Sequence, residues 1–158
     1  MIRINVKYLF SYFFLVFLTT GLCIFTLIRN SQETGSPQKP YLVINDQIVL
    51  VELAETSAAK AQGLSGRKFL PENKGMLFIF DRPGRYRFWM EKMNFALDFV
   101  FLKGGQVVDL MENTPYPRPG EPPRSVESEA DFDQVLEINA GLIQRLRLEI
   151  GDSVRLFR

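Results

Sequence analysis

The chain has 158 residues, with 19 Lys and Arg against 18 Asp and Glu, no histidine and a single cysteine, Cys23. Without histidine the commonest general base and the commonest zinc ligand are both missing, which excludes Ser-His-Asp, Cys-His and His-metal mechanisms. From Tyr41 onward there are 15 Lys and Arg against 17 Asp and Glu, a net of −2 that gives no electrostatic footprint for DNA or RNA.

Tyr8 to Ile28, YLFSYFFLVFLTTGLCIFTLI, is 21 residues without a charge. At about 1.5 Å per residue a helix of that length crosses the roughly 30 Å hydrocarbon core of a bilayer, so residues 8–28 read as a single transmembrane signal-anchor. Arg3 and Lys7 precede it and Arg29 follows, which by the positive-inside rule leaves residues 1–7 in the cytoplasm and the rest extracytoplasmic, either periplasmic or extracellular. A cleaved secretory signal would have a shorter apolar region and a small-residue cleavage site. A lipoprotein signal would use Cys23, but bulky Leu22 stands before it. With Cys23 inside the apolar segment, the domain beyond has no disulfide, no thiolate nucleophile and no sulfur ligand for a metal. Residues 29–40, rich in Ser, Gly and Pro, read as a flexible linker.

The 118 residues from 41 to 158 suffice for one domain with its own core. YLVINDQIVLVELA predicts two short strands about an Asn45-Asp46 turn, with Ile48, Leu50 and Glu52 on one face and Val49, Val51 and Leu53 on the other. Thr56 is placed to N-cap a short helix over Ser57 to Gln62, and Gly63 to end it. Gly75 to Phe80 predicts a strand closed by a turn at Asp81 to Gly84, and Tyr86 to Met90 a second strand. Leu97 to Leu102 and Gln106 to Met111 flank Lys103-Gly104-Gly105 as a hairpin. Gln134 to Ile138 reads as a strand, Ala140 to Leu148 as a short helix and Ser153 to Phe157 as a closing strand. The sum is a mostly β (α+β) fold, a small barrel or strongly curved antiparallel sheet with one or two short helices. Glu112 to Asp131, stiffened by five prolines, reads as a long loop that either rims a binding site or merely spans the barrel.

GLSGRKFLPENKGMLFIF, then FWMEKMNFALDFVFL with Gln106-Val107-Val108 after it, then VLEINAG before an I-x-x-G-D close, resemble the family called domain of unknown function 192, also uncharacterised protein family 0127. The likeness covers residues 41–158. It implies a compact, mostly β fold, often exported or membrane-anchored, with no settled activity. Two departures stand out. Glu91-Lys92-Met93 occupies the place where Lys-Asn-Thr often follows Phe-Trp-Met, and Ala96 the place of a proline before Leu-Asp.

The candidate site residues are those whose chemistry is out of keeping with their surroundings. Arg67 either clamps an anionic group of a ligand or braces Asp98 or Glu137 within the fold. Asp98 interrupts the apolar run about Leu97 and Phe99, and Glu137 interrupts Val135-Leu136-Ile138. If they approached across a barrel they would form a carboxylate pair able to share a proton or hold Ca²⁺ or Mg²⁺; otherwise Glu137 faces solvent. Trp89, with Phe88, Met90 and Met93, suits either a core plug or an apolar ligand, and Tyr116 with Arg118 and Arg124 lies on the proline-rich loop. Arg82, Arg85 and Arg87 either contact anionic headgroups or sit in a solvated turn. Two functions are compatible with these residues. One is a membrane-anchored ligand- or partner-binding module, taking a small-molecule, cell-envelope or protein ligand at Arg67, Trp89, Met90, Asp98 and Tyr116 and needing no metal or cofactor. The other is a carboxylate-dependent hydrolase or lyase on an envelope polymer, with Asp98, Glu137 and Arg67 as its machinery.

Overall fold

Alternation of buried and open side chains sets how the strands lie. In YLVI and QIVLVELA the buried positions fall two apart, Leu42 with Ile44 and Val49 with Val51. Asn45 and Asp46 between them both take positive φ, 45° and 61°, which matches a tight hairpin turn to the twist of its strands. The computed structural model describes residues 39–158; the expected membrane span over 8–28 and nearly all of the linker lie outside them. Among the described residues no helix is long and apolar enough to cross a membrane. They form strands β1 (Tyr41–Ile44), β2 (Gln47–Ala54), β3 (Lys74–Gly84), β4 (Phe88–Trp89), β5 (Leu97–Lys103), β6 (Gln106–Thr114), β7 (Ser125–Val126), β8 (Phe132–Asn139) and β9 (Val154–Phe157), with helices α1 (Ser57–Gln62) and α2 (Leu142–Leu146).

Seven strands make one sheet in the order β6-β5-β8-β3-β2-β1-β9, and β4 pairs with β7 as a separate ribbon. Neighbours are antiparallel except β2 and β3, whose parallel pairing requires the crossover that α1 and the loop after it supply. The sheet curls into a half-barrel whose edges touch at one end: the Val107 N–H donates to the Asp152 carbonyl at 2.9 Å and the Val154 N–H to the Gly105 carbonyl at 2.8 Å. The expected mostly β fold with two short helices is thus observed.

Each face of the sheet carries its own apolar core. Leu77, Val100, Leu102, Leu136 and Ile138 point to one side and pack with α2. Their sequence neighbours Met76, Phe78, Phe99, Phe101 and Val135 point to the other, where the 64–70 loop and the β4–β7 ribbon cover them. Burial on both faces explains why β5, LDFVFLK, reads as a continuous apolar run rather than an alternating one.

Several boundaries differ from expectation. Asp81 to Gly84 is not a closing turn: β3 bulges there, from Ile79 opposite Gln134 to Gly84 opposite Phe132. Pro83 lacks the N–H a ladder needs, so the bulge is where the strand accommodates it. The expected strand over Tyr86 to Met90 contracts to Phe88–Trp89, and its partner β7 comes from within the proline-rich loop. α2 is shorter than Ala140 to Leu148 because Gly141 at φ 83° and Arg147 at φ 52° bracket it in left-handed conformations.

Candidate ligand-binding site

The register places Glu52, Met76, Glu137 and Phe99 in one row across β2, β3, β8 and β5, on the face opposite α2. Two acids therefore share a face with two apolar side chains. Arg67 lies at the Glu52 end, its guanidinium closing a two-pronged ion pair at 2.6 Å and 2.7 Å on the two Glu52 oxygens. That pairing holds the Glu52 carboxyl below, and the Arg67 guanidinium above, their ordinary ranges. The loop carrying Arg67 is pinned through its backbone. The Gly66 N–H donates to the Lys92 carbonyl at 2.8 Å, the Ser65 hydroxyl to the Glu91 carbonyl at 3.0 Å, and the Asn94 amide to the Arg67 carbonyl at 2.8 Å. The carbonyls at 91 and 92 do this work, and Lys92 takes a left-handed φ of 54°, a conformation that asparagine, the residue often found there in the family the chain resembles, adopts more readily than lysine.

Glu137 sits deeper. Only 6% exposed, its carboxyl receives no side-chain hydrogen bond among the described residues. Burial pushes it up to about 8, against the pull of the nearby Arg67 charge. The acid is thus held mostly neutral at neutral pH. It lines a cavity of about 320 Å³ walled by Leu64, Phe78, Phe80, Tyr86, Phe88 and Met93. Lys60, Arg87, Trp89 and Glu91 also line it. The aromatic wall is itself fixed, since Phe80 and Tyr86 stack with centroids 3.9 Å apart and Phe78 meets Phe88 edge-on at 5.1 Å. The Tyr86 hydroxyl further donates to the Arg82 carbonyl at 2.9 Å. Gly63 at the end of α1 lets the chain pass over Phe78, where a Cβ would lie 3.3 Å from the ring.

Residues 41–156 match the family of domain of unknown function 192, described as Uncharacterized ACR. The chain belongs to this family. A protein of unknown function from Novosphingobium aromaticivorans is 31% identical, superposes with a TM-score of 0.65, and shares 78% of this chain and 89% of its own. A protein from Sinorhizobium meliloti, provisionally described as a transcription regulator, is 28% identical with a TM-score of 0.64, over 73% of this chain and 90% of its own. No curated protein matches the chain.

Within this domain of unknown function 192, the other residues singled out from the sequence are dispersed. Asp98 is opposite Ile138, so its side chain leaves the sheet on the α2 face while Glu137 leaves on the other. The conditional Asp98–Glu137 pair therefore does not form, and Glu137 does not face open solvent either. Asp98 is instead fully buried with each oxygen engaged, accepting from the Asn113 N–H at 2.7 Å and the Ile143 N–H at 2.9 Å. It thereby joins the bulge in β6 to the first turn of α2. The cation that such a pair could have held thus has no site between them, and no group of three or more acids comes together as metal ligands among the described residues. Met90 is wholly buried in the core and does not line the cavity, while Tyr116, 47% exposed, stands on its loop away from the lining. Trp89, 52% exposed, does line the cavity, with the Arg87 guanidinium 5.6 Å from its ring centroid. Arg67 braces Glu52, a partner the sequence did not suggest. Sequence reasoning also missed Lys60, Phe80 and Tyr86 as lining residues, although the two-residue spacing of Phe78 with Phe80 and of Tyr86 with Phe88 marks a common face.

Proposed function

We propose that this domain is a ligand-binding module whose site is the cavity over Glu137, and that residues 8–28 tether it to a membrane with the domain on the extracytoplasmic side. One observation carries the binding reading: a mostly buried carboxyl that accepts no hydrogen bond from the described residues lines a fixed aromatic cavity. Burying a carboxyl that no donor meets is costly, so one that lines a cavity is best explained by a partner arriving from outside the chain. A hydrolase or lyase that divides acid and base roles between Asp98 and Glu137 has no such support, since the two carboxyls face opposite sides of the sheet. The charge-free stretch over Tyr8 to Ile28 supports the tether.

A thermal-shift screen of the full chain in a non-ionic detergent, against amines, alcohols, sugars and cell-wall fragments, tests the binding reading, because a ligand of the native state raises its apparent stability. Ala61 lines the cavity from an exposed position, so Ala61→Trp obstructs it without disturbing the core. A shift lost in Ala61→Trp is expected; ligands that shift both proteins equally would place binding elsewhere. For the tether, a C-terminal tag should be digested by protease added outside cells with sealed cytoplasmic membranes, and protection of the tag would reverse the orientation.

A further inference from the structure

Resting on that reading, we propose that the cavity takes an ammonium group carried on a compact apolar body, with the Glu137 carboxylate as its counter-ion.

Most charges around the cavity already have partners. Arg67 is committed to both oxygens of Glu52. Arg87 is paired with Glu127 at 2.6 Å and lies over Trp89. The Lys60 ammonium donates to the Ile79 carbonyl and sits 4.7 Å from the centre of the Phe80 ring. Of the basic groups lining the cavity among the described residues, Arg87 has an acid partner and Lys60 is held by a carbonyl and a ring face, so an anionic ligand would compete with these contacts. Among the described residues Glu137 is the buried acid that has no hydrogen-bond partner, since buried Asp98 accepts two N–H groups. Around it, Met76 on β3 and Phe99 on β5 flank the carboxyl, and Arg67 with its paired Glu52 lies along the same row. Tyr86 lines the cavity with the charged Lys60, Arg87 and Glu91, of which Arg87 pairs with Glu127 and Glu91 lies 3.7 Å from Lys92.

The walls suit a cation as well. Faces of aromatic rings attract ammonium groups, most strongly where water is excluded, and Lys60 over Phe80 is an instance within this cavity. The remaining lining from Leu64, Phe78, Phe88 and Met93 is apolar and would cover the body of the ligand.

Binding has a fixed proton balance. An ammonium entering beside neutral Glu137 forms the ion pair as the carboxyl proton leaves to solvent, so the carboxyl becomes carboxylate and the ligand keeps its own proton. Affinity should then rise with pH until Glu137 ionises without help, near 8. A ligand that accepts a hydrogen bond from the neutral acid would show the opposite trend.

The test is isothermal titration of the full chain in a non-ionic detergent with phenethylamine and with phenethyl alcohol, which share a body and differ in the head group. The amine is expected to bind at least about tenfold tighter than the alcohol, to release about one proton near pH 6.5 when buffers of different ionisation enthalpy are compared, and to weaken about tenfold or more in Glu137→Gln. Should Glu137→Gln fail to fold, proton release by the unmodified chain decides alone. Equal or tighter binding of the alcohol, blocked by Ala61→Trp, would overturn the ammonium assignment and leave the cavity as a site. Binding of neither probe would also overturn it, and the cavity reading would then rest on the wider thermal-shift screen.

Discussion

Asp98 and Glu137 stand on paired strands, with Phe99 directly opposite Glu137, yet their carboxyls leave the sheet by opposite faces. One is spent on the fold and the other is left unspent. Asp98 saturates two backbone N–H groups, whereas Glu137 faces a cavity without a donor. Acids one step apart in the same ladder therefore have unlike consequences when replaced.

Removing the Asp98 side chain strands two amide groups, and each buried unsatisfied donor costs about 1–3 kcal/mol. Asp98→Ala should lower stability by roughly 3 kcal/mol, read as a drop in the denaturant midpoint. Amides of the bulge near Asn113 and of α2 should lose hydrogen-exchange protection first.

Glu137 links stability to pH in the direction opposite to an ordinary paired acid. Its folded value, about 8, lies above the ordinary 4.5, so between those values the native state holds a proton that the unfolded chain has released. Its contribution is complete below the lower value and is lost as pH rises through the upper one. Melting temperature should fall from about pH 5 to about pH 8 for the unmodified chain and fall far less for Glu137→Gln, whose amide does not ionise. The shift at Glu52 has the opposite sign and acts only as pH falls through the ordinary carboxylate range, where its exposure keeps the effect small.

Arg67→Ala separates bracing from electrostatics. The Arg67–Glu52 pair is partly solvated, with side chains 34% and 51% exposed, so its loss should cost no more than about 1 kcal/mol. Removing the guanidinium also removes the charge that opposes the effect of burial on Glu137, whose midpoint should climb further. Carboxyl titration by NMR checks the second effect and chemical denaturation the first.

Gly75 marks where β3 and β8 press closest behind Glu137. A Cβ there would lie 2.7 Å from the Glu137 carbonyl oxygen and 2.9 Å from Cγ2 of Ile138. Gly75→Ala should therefore destabilise by about 1–3 kcal/mol, as overpacking does, despite the better strand propensity of alanine. A denaturation midpoint at or above that of the unmodified chain would show that the strands can part at no cost.

Local signals in the sequence specify most of the elements. The glycines after Lys103, the left-handed Asn45-Asp46 pair and the Thr56 cap each act over a few residues, and each sits where it was expected. What the sequence conceals is register between distant strands. Asp98 and Glu137 are far apart along the chain, and a one-residue slip in their pairing would carry Glu137 to the other face. Long-range closure conceals the β4–β7 ribbon in the same way, since Val126 is buried by pairing opposite Phe88 and packing in the same distant apolar cluster. Trp89, which lines the cavity, was legible as a candidate from its apolar, aromatic neighbourhood, where a core plug was the other reading. Phe80 and Tyr86 were not, because the bulge at Asp81 to Gly84 resembles a solvated turn and separates two rings that stack.

The carboxyl carbon of Glu137, assigned by its disappearance in Glu137→Gln, can be followed by NMR as pH is raised on the full chain. A buried acid awaiting a partner predicts a midpoint near 8, moving down when an ammonium ligand is added. A midpoint near the ordinary 4.5 would mean that the carboxyl is already solvated or paired, and would contradict the cavity over Glu137 as a binding site.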